Sequence, residues 1–106
     1  MPMEQLLHYV WKHKLFATAP LKTTEGVDVE VIDVGLHNDN AGPDFFNAKV
    51  KLGDTLWVGN VEIHDLASQW FEHGLHNDPR YNNVVLHVVG KADMECLTQD
   101  GKQLPQ

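Results

Sequence analysis

The spacing of hydrophobic positions changes repeatedly along the chain, and each change marks an element. Met3, Leu6, Leu7, Val10 and Trp11 recur at helical intervals and Leu15 extends the stripe, so residues 3–14 are predicted to form an amphipathic helix. Pro2 suits its start. Residues 17–26 read as a linker. Val27, Val29 and Val31 alternate with Asp28 and Glu30, which predicts a half-buried strand over 27–34. His37-Asn38-Asp39-Asn40 among glycines makes 35–42 a polar loop. Strands are predicted over 45–52 and 55–63, joined near Gly53-Asp54. Residues 65–73 read as a short helix, capped by Asp65, faced by Leu66, Trp70 and Phe71 and stopped at Gly74. Residues 76–79 are a loop. The nearly all-apolar run at 84–89 predicts a central strand. Beyond Lys91 only the Asp100-Gly101 turn is legible.

The resulting order is helix, three strands, helix, strand. This is an α/β (α+β) pattern: an αβββαβ core with a mixed sheet of about four strands flanked by helices. The first three strands can form an antiparallel meander. The last should join through a right-handed parallel crossover. Leu6, Val10, Trp11, Val29, Val31, Val58, Val85 and Val88 are the expected core.

At 106 residues the chain is expected to be a single domain spanning 1–106. Hydrophobic residues make up 42% and charged residues 22%, an ordinary globular balance. No apolar run could span a bilayer and no leader pattern opens the chain, so no membrane partner is expected. The lone Cys96 cannot form an internal disulfide, which fits a reducing, cytoplasmic setting. The net charge is −7 and Arg80 is the one arginine, which argues against a broad nucleic-acid footprint.

The chemistry concentrates between Pro43 and His64. Pro43 cannot donate to a ladder, so a strand should begin beside it and carry Asp44 to the sheet end. Glu62 and His64 share a strand face because strand periodicity is two. A strict two-residue turn at Gly53-Asp54 would set Asp44 opposite Ile63 and turn Glu62 away. A longer loop or one bulge would set Asp44 opposite Glu62. The second register is favoured, because it also pairs Val50 with Leu56, Ala48 with Val58 and Phe46 with Asn60, and leaves Lys49, Lys51 and Thr55 on the other face.

Two resemblances follow from these residues. Pro43-Asp44 and Glu62-Ile63-His64, placed on two strands of an αβββαβ order, resemble the PD-(D/E)xK nuclease-like fold, with His64 where that pattern has Lys. The resemblance implies a metal-dependent nuclease or phosphodiesterase-like domain with catalytic residues Asp44, Glu62 and His64. Its metal set would be Asp44, Glu62 and the Ile63 carbonyl, holding Mg²⁺ or Mn²⁺. His64 would orient or deprotonate water and could draw the preference toward Mn²⁺ or Zn²⁺. Glu4 could add a fourth acid from the first helix. The second resemblance is carried by His8-Tyr9-Val10-Trp11, Ala41 to Phe45, Gly59 to His64 and Asn83 to Val89. These segments resemble the opening of an uncharacterised bacterial family catalogued as a domain of unknown function, whose longer members imply that this chain is an N-terminal fragment or a short relative.

Each signal has a plainer reading. Asp44 after Pro43 is a common way to begin a strand. Glu62 and His64 read equally as a solvated strand end, and Glu4 as a helix-start acid favoured by the macrodipole. His8 and His13 lie on different helix faces, and His73 and His76 flank a helix end. His87, inside an apolar strand, reads as a core histidine with a hydrogen-bond partner. Trp11, Trp57 and Trp70 read as core or interface anchors. Three functions therefore stand: a metal-dependent enzyme acting on nucleic acid, a binding module without turnover, and a self-associating interaction domain.

Overall fold

The structure, a computed structural model, describes residues 3–15 and 21–106. The expected helix start at Pro2 and the first part of the linker, to residue 20, lie outside them. Helix α1 (Met3–Lys12) is followed by β1 (Leu21–Lys22), β2 (Asp28–Asp33), β3 (Leu36–His37), β4 (Phe45–Leu52) and β5 (Thr55–Leu66). Helix α2 (Gln69–Glu72) and two 3₁₀ turns (Leu75–Asn77 and Pro79–Tyr81) lead to β6 (Val84–Lys91). The sheet has six strands in the order β1-β2-β4-β5-β6, with β3 also paired to β4. The pairs are antiparallel except β5–β6, which is parallel. The fold is thus mixed α+β, with two more strands than the sequence pattern predicts. The extra pairs, β1 and β3, are only two residues each, too short to leave a periodic signal.

The hairpin keeps the tight turn of the first register and reaches the Asp44–Glu62 pairing of the second through one bulge. Its turn is strictly two residues, with Leu52 opposite Thr55. Gly53 has φ +59 while Asp54 stays in the ordinary range, as in a type II′ turn. Val50 therefore pairs with Trp57 and Ala48 with Gly59, not with Leu56 and Val58. Thr55 likewise shares the side of Leu52, away from Lys49 and Lys51. The register then slips between Ala48 and Phe45, and Phe45 meets Val61. The inserted residue is Asn47, left-handed at φ 57, whose N–H donates to Asn60 Oδ1 at 3.2 Å. One bulge thus brings Asp44 beside Glu62 while the turn remains tight. Asn47→Gly should hold or raise the urea midpoint. Asn47→Val should cost about 1–2 kcal/mol through left-handed strain. Equal midpoints for the two variants would show that the bulge does not depend on this conformation.

The register also explains two misplaced core residues. Val58 faces Lys49 rather than Ala48 and is 57% exposed. Leu6 is 42% exposed, because α1 docks through Leu7 and the buried Trp11. The Trp11 indole N–H donates to the Val34 carbonyl at 3.0 Å. Of the other expected core residues, Trp11 and Val31 are buried, whereas Val10, Val29, Val85 and Val88 are half-buried.

The sheet separates two cores. On one side Trp11, Val31, Phe45, Ala48, Val50, Val61, Ile63 and Leu86 pack together. On the other, Ala67, Trp70, Leu75, Tyr81, Val84, Cys96 and Leu104 do so. Asp65 does not cap α2, because β5 runs through it to Leu66. Ser68 precedes the helix instead, without a side-chain cap bond. The apolar strand β6 is not central but terminal. Its hydrophobicity follows from cover on both faces and on its outer edge, where His87 N–H donates to the Pro105 carbonyl at 2.9 Å.

Candidate functional site

The bulge sets up two reciprocal hydrogen bonds. The Asp44 N–H donates to Glu62 Oε1 at 3.1 Å, and the Ile63 N–H donates to Asp44 Oδ2 at 2.8 Å. Asp44 and Glu62 also meet side chain to side chain. Ile63 thus touches Asp44 through its amide, while its side chain is buried in the first core. Burial, followed by the neighbouring Asp44 charge, pushes the Glu62 carboxyl up to about 9. Near neutral pH Glu62 is therefore a neutral carboxylic acid beside Asp44.

Helix α1 closes the site from the first side. Glu4 and His8 are four residues apart and share a helix face. His8 Nε2 lies 3.7 Å from Asp44 Oδ2, and the Glu4 charge adds to the upward push on Glu62. Glu4 is therefore part of the electrostatic surroundings of the carboxyl pair rather than only a helix-start acid. His8 also lies against Phe45, and His37 against both.

His64 approaches from β5. Its Nε2 stands 3.5 Å from Glu62 Oε2 and its Nδ1 2.7 Å from His87 Nε2, with both histidines buried. His73, at the end of α2, lies with its ring 5.1 Å from that of His64, and Trp70 lies 5.2 Å from His87. Burial, then the neighbouring imidazoles, pushes His64 down to about 3. His87 is lowered too, chiefly by burial. Both rings are therefore neutral at physiological pH, with one donor and one acceptor nitrogen each.

The three residues singled out in the sequence, Asp44, Glu62 and His64, thus come together, with Glu4, the fourth acid the sequence suggested, close enough to act on Glu62. His87 is the hydrogen-bonded core histidine the sequence suggested, but its link to His64 was not legible, and neither was the approach of His8 to Asp44. Among the described residues no three His, Cys, Asp or Glu side chains are grouped to hold a metal ion by themselves. The donor set is two carboxyl groups side by side, which suits a hard cation that keeps most of its waters better than a closed zinc cage. No helix among the described residues is long and apolar enough to cross a membrane.

Residues 4–106 match the DUF2851 family, described as proteins of unknown function. The chain belongs to the DUF2851 family. In this DUF2851 protein the match spans α1, every strand and the C-terminal segment, so the carboxyl–histidine cluster falls wholly within the family's region. No curated protein and no solved structure matches the chain.

Proposed function

We propose that this DUF2851 chain is a metal-dependent nuclease-like or phosphodiesterase-like domain of the PD-(D/E)xK kind. The observation that carries the reading is the bulge-driven meeting of Asp44 and Glu62, joined by reciprocal backbone hydrogen bonds. The element order agrees: a helix, an antiparallel hairpin with its carboxyls at one end, and a parallel β5–β6 crossover. Asp44, Glu62 and the Ile63 carbonyl would hold Mg²⁺ or Mn²⁺, which supplies a polarised water and offsets charge on a phosphoryl oxygen. Ile63 N–H holds the Asp44 carboxylate in place. His64, neutral and buried, presents Nε2 toward the carboxyls, where it can accept a proton from water. Lys49 pairs with Val58 on the strand side that Glu62 and His64 also occupy, which offers a cationic contact for a phosphodiester despite the overall charge of −7.

Mg²⁺ or Mn²⁺ at millimolar concentration should raise the melting temperature of the parent protein, and the Asp44→Ala protein should not respond. Cleavage of single- or double-stranded DNA or RNA with either cation would then identify turnover. If the parent protein shows no cation response and no cleavage, the reading fails.

A second reading rests on a different observation. Trp57 is exposed on β5 near the hairpin turn, Leu56 and Val58 are exposed on the opposite face of the same stretch, and Ile32 is exposed on β2. Such exposed apolar side chains suit an interaction or self-associating domain without turnover. Sedimentation of the parent protein against Trp57→Ser tests it: a concentration-dependent dimer that the substitution dissolves supports it, and a monomer in both ends it.

A further inference from the structure

The candidate site is backed by a directional chain of hydrogen bonds that runs across β6 to the C-terminal segment. Gln106 Nε2 donates to the Met94 carbonyl at 2.9 Å. Only the amide NH₂ can serve that carbonyl, so Gln106 Oε1 must be the atom 2.6 Å from His87 Nδ1. An amide oxygen only accepts, so His87 Nδ1 carries the proton. In a neutral ring His87 Nε2 is then a bare acceptor. It stands 2.7 Å from His64 Nδ1, so His64 Nδ1 must be the donor. His64 Nε2 is left with its lone pair, and that atom faces Glu62 Oε2 at 3.5 Å. The direction of the whole chain is set by the Met94 carbonyl, which can only accept.

We propose that His87 and Gln106 are positioning residues that fix His64 in the Nδ1–H tautomer, so that its Nε2 lone pair is presented to the Asp44–Glu62 carboxyl pair as a proton acceptor or cation ligand. The relay rests on the reading of Asp44, Glu62 and His64 as the working site, and it assigns to His64 the atom that does the work. The opposite tautomer would put an N–H toward the carboxyls, where it could donate a hydrogen bond but neither take a proton nor ligate a cation. Burial strengthens the selection, because both rings are nearly sealed from water and have few alternative partners. Trp70 against His87 and His73 against His64 hold the two planes nearly perpendicular, at 88°. A role in fold stability alone would need the hydrogen bonds but not their direction. Direction is therefore the quantity to measure.

The test is long-range ¹H–¹⁵N NMR of the histidine rings in the intact protein without added cation, at neutral pH. His64 and His87 should both show a protonated Nδ1 and an unprotonated Nε2. Gln106→Leu removes the acceptor and should mix the tautomers of both rings, while Gln106→Glu, which keeps an acceptor oxygen, should retain the Nδ1–H pattern. A predominantly Nε2-protonated His64 in the parent protein overturns the proposal, as does a tautomer pattern unchanged in a folded Gln106→Leu protein. Should Gln106→Leu not fold, the parent spectrum alone decides. Titration with Mn²⁺-free Mg²⁺ and then Zn²⁺ separates this inference from the functional reading. The predicted tautomers without any cation response leave the relay standing and remove the nuclease reading. A cation response with the opposite His64 tautomer does the reverse.

Discussion

Glu62→Gln should abolish a loss of stability that the parent protein shows as pH rises from neutrality toward 9. The Glu62 carboxyl is raised from 4.5 to about 9 in the folded chain, first by burial and then by Asp44. Below pH 4.5 it is protonated in both folded and unfolded states, and its stabilising effect is fully present. Above that, the unfolded chain ionises and the folded one does not, so stability falls until the folded group titrates near 9, at up to about 1.4 kcal/mol per pH unit. The histidines act with the opposite sign. His64 is lowered from 6.5 to about 3 and His87 is lowered too, so their contribution is present above 6.5 and lost as pH falls toward 3. Below 6.5 the lowered imidazoles oppose the carboxyl, and above 6.5 the carboxyl acts alone among the three, so its alkaline limb stands clear from neutrality upward. Glutamine mimics the neutral acid and should leave the acid limb with a flat shoulder on the alkaline side. Urea denaturation across pH 4–9 measures this, and an alkaline limb that survives in Glu62→Gln would show that the carboxyl is not raised. A divalent cation should flatten the same limb in the parent protein, because it favours the ionised pair.

Trp70→Ala should be the most damaging single truncation. Trp70 is fully buried, its indole N–H donates to the Leu97 carbonyl at 2.9 Å, and its ring packs on both Tyr81 and His87. Removing it costs about 3–5 kcal/mol for a buried aromatic, with a further contribution of about 1–3 kcal/mol from the orphaned carbonyl if water cannot reach it. For a chain of this size such a loss approaches the whole folding free energy, typically about 5–15 kcal/mol. Trp70→Phe should recover most of the packing but not the Leu97 bond. A urea midpoint for Trp70→Ala within error of the parent would mean that the second core does not hold the fold. Because the same ring walls His87, a folded Trp70→Phe protein should also loosen the His64–His87 pair.

The physical origin of the site explains how far it could be read in advance. Pro43-Asp44 and Glu62-Ile63-His64 stand out in the chain, and strand periodicity alone places Glu62 and His64 on one face. The meeting of Asp44 with Glu62 is a different matter. It depends on one left-handed residue, Asn47, held by the amide of Asn60 thirteen positions away. Nothing in the alternation of β4 announces that bulge, and placing the slip at the turn instead gives the right partner for Asp44 with the wrong partners for Val50 and Ala48.

Local chemistry determined the elements that repeat regularly: the 3.6-residue stripe of α1, the alternation of β2, the hairpin strands and the apolar run of β6. Gly53 suits the positive φ of the two-residue turn, but alternation alone did not choose that turn over a longer loop. What only the tertiary structure decided are the features that depend on long-range cover. The apolar run at β6 lies at the sheet edge because Pro105 protects it, and Leu6 turns outward because Leu7 and Trp11 take the core. His87 is bonded to His64 and Gln106, residues 23 and 19 positions away, so its neutrality and direction arise only when three segments meet. The raised carboxyl and lowered imidazoles have the same cause. Glu62, His64 and His87 have ordinary ionisation in the unfolded chain, and desolvation between packed layers is what separates them from it.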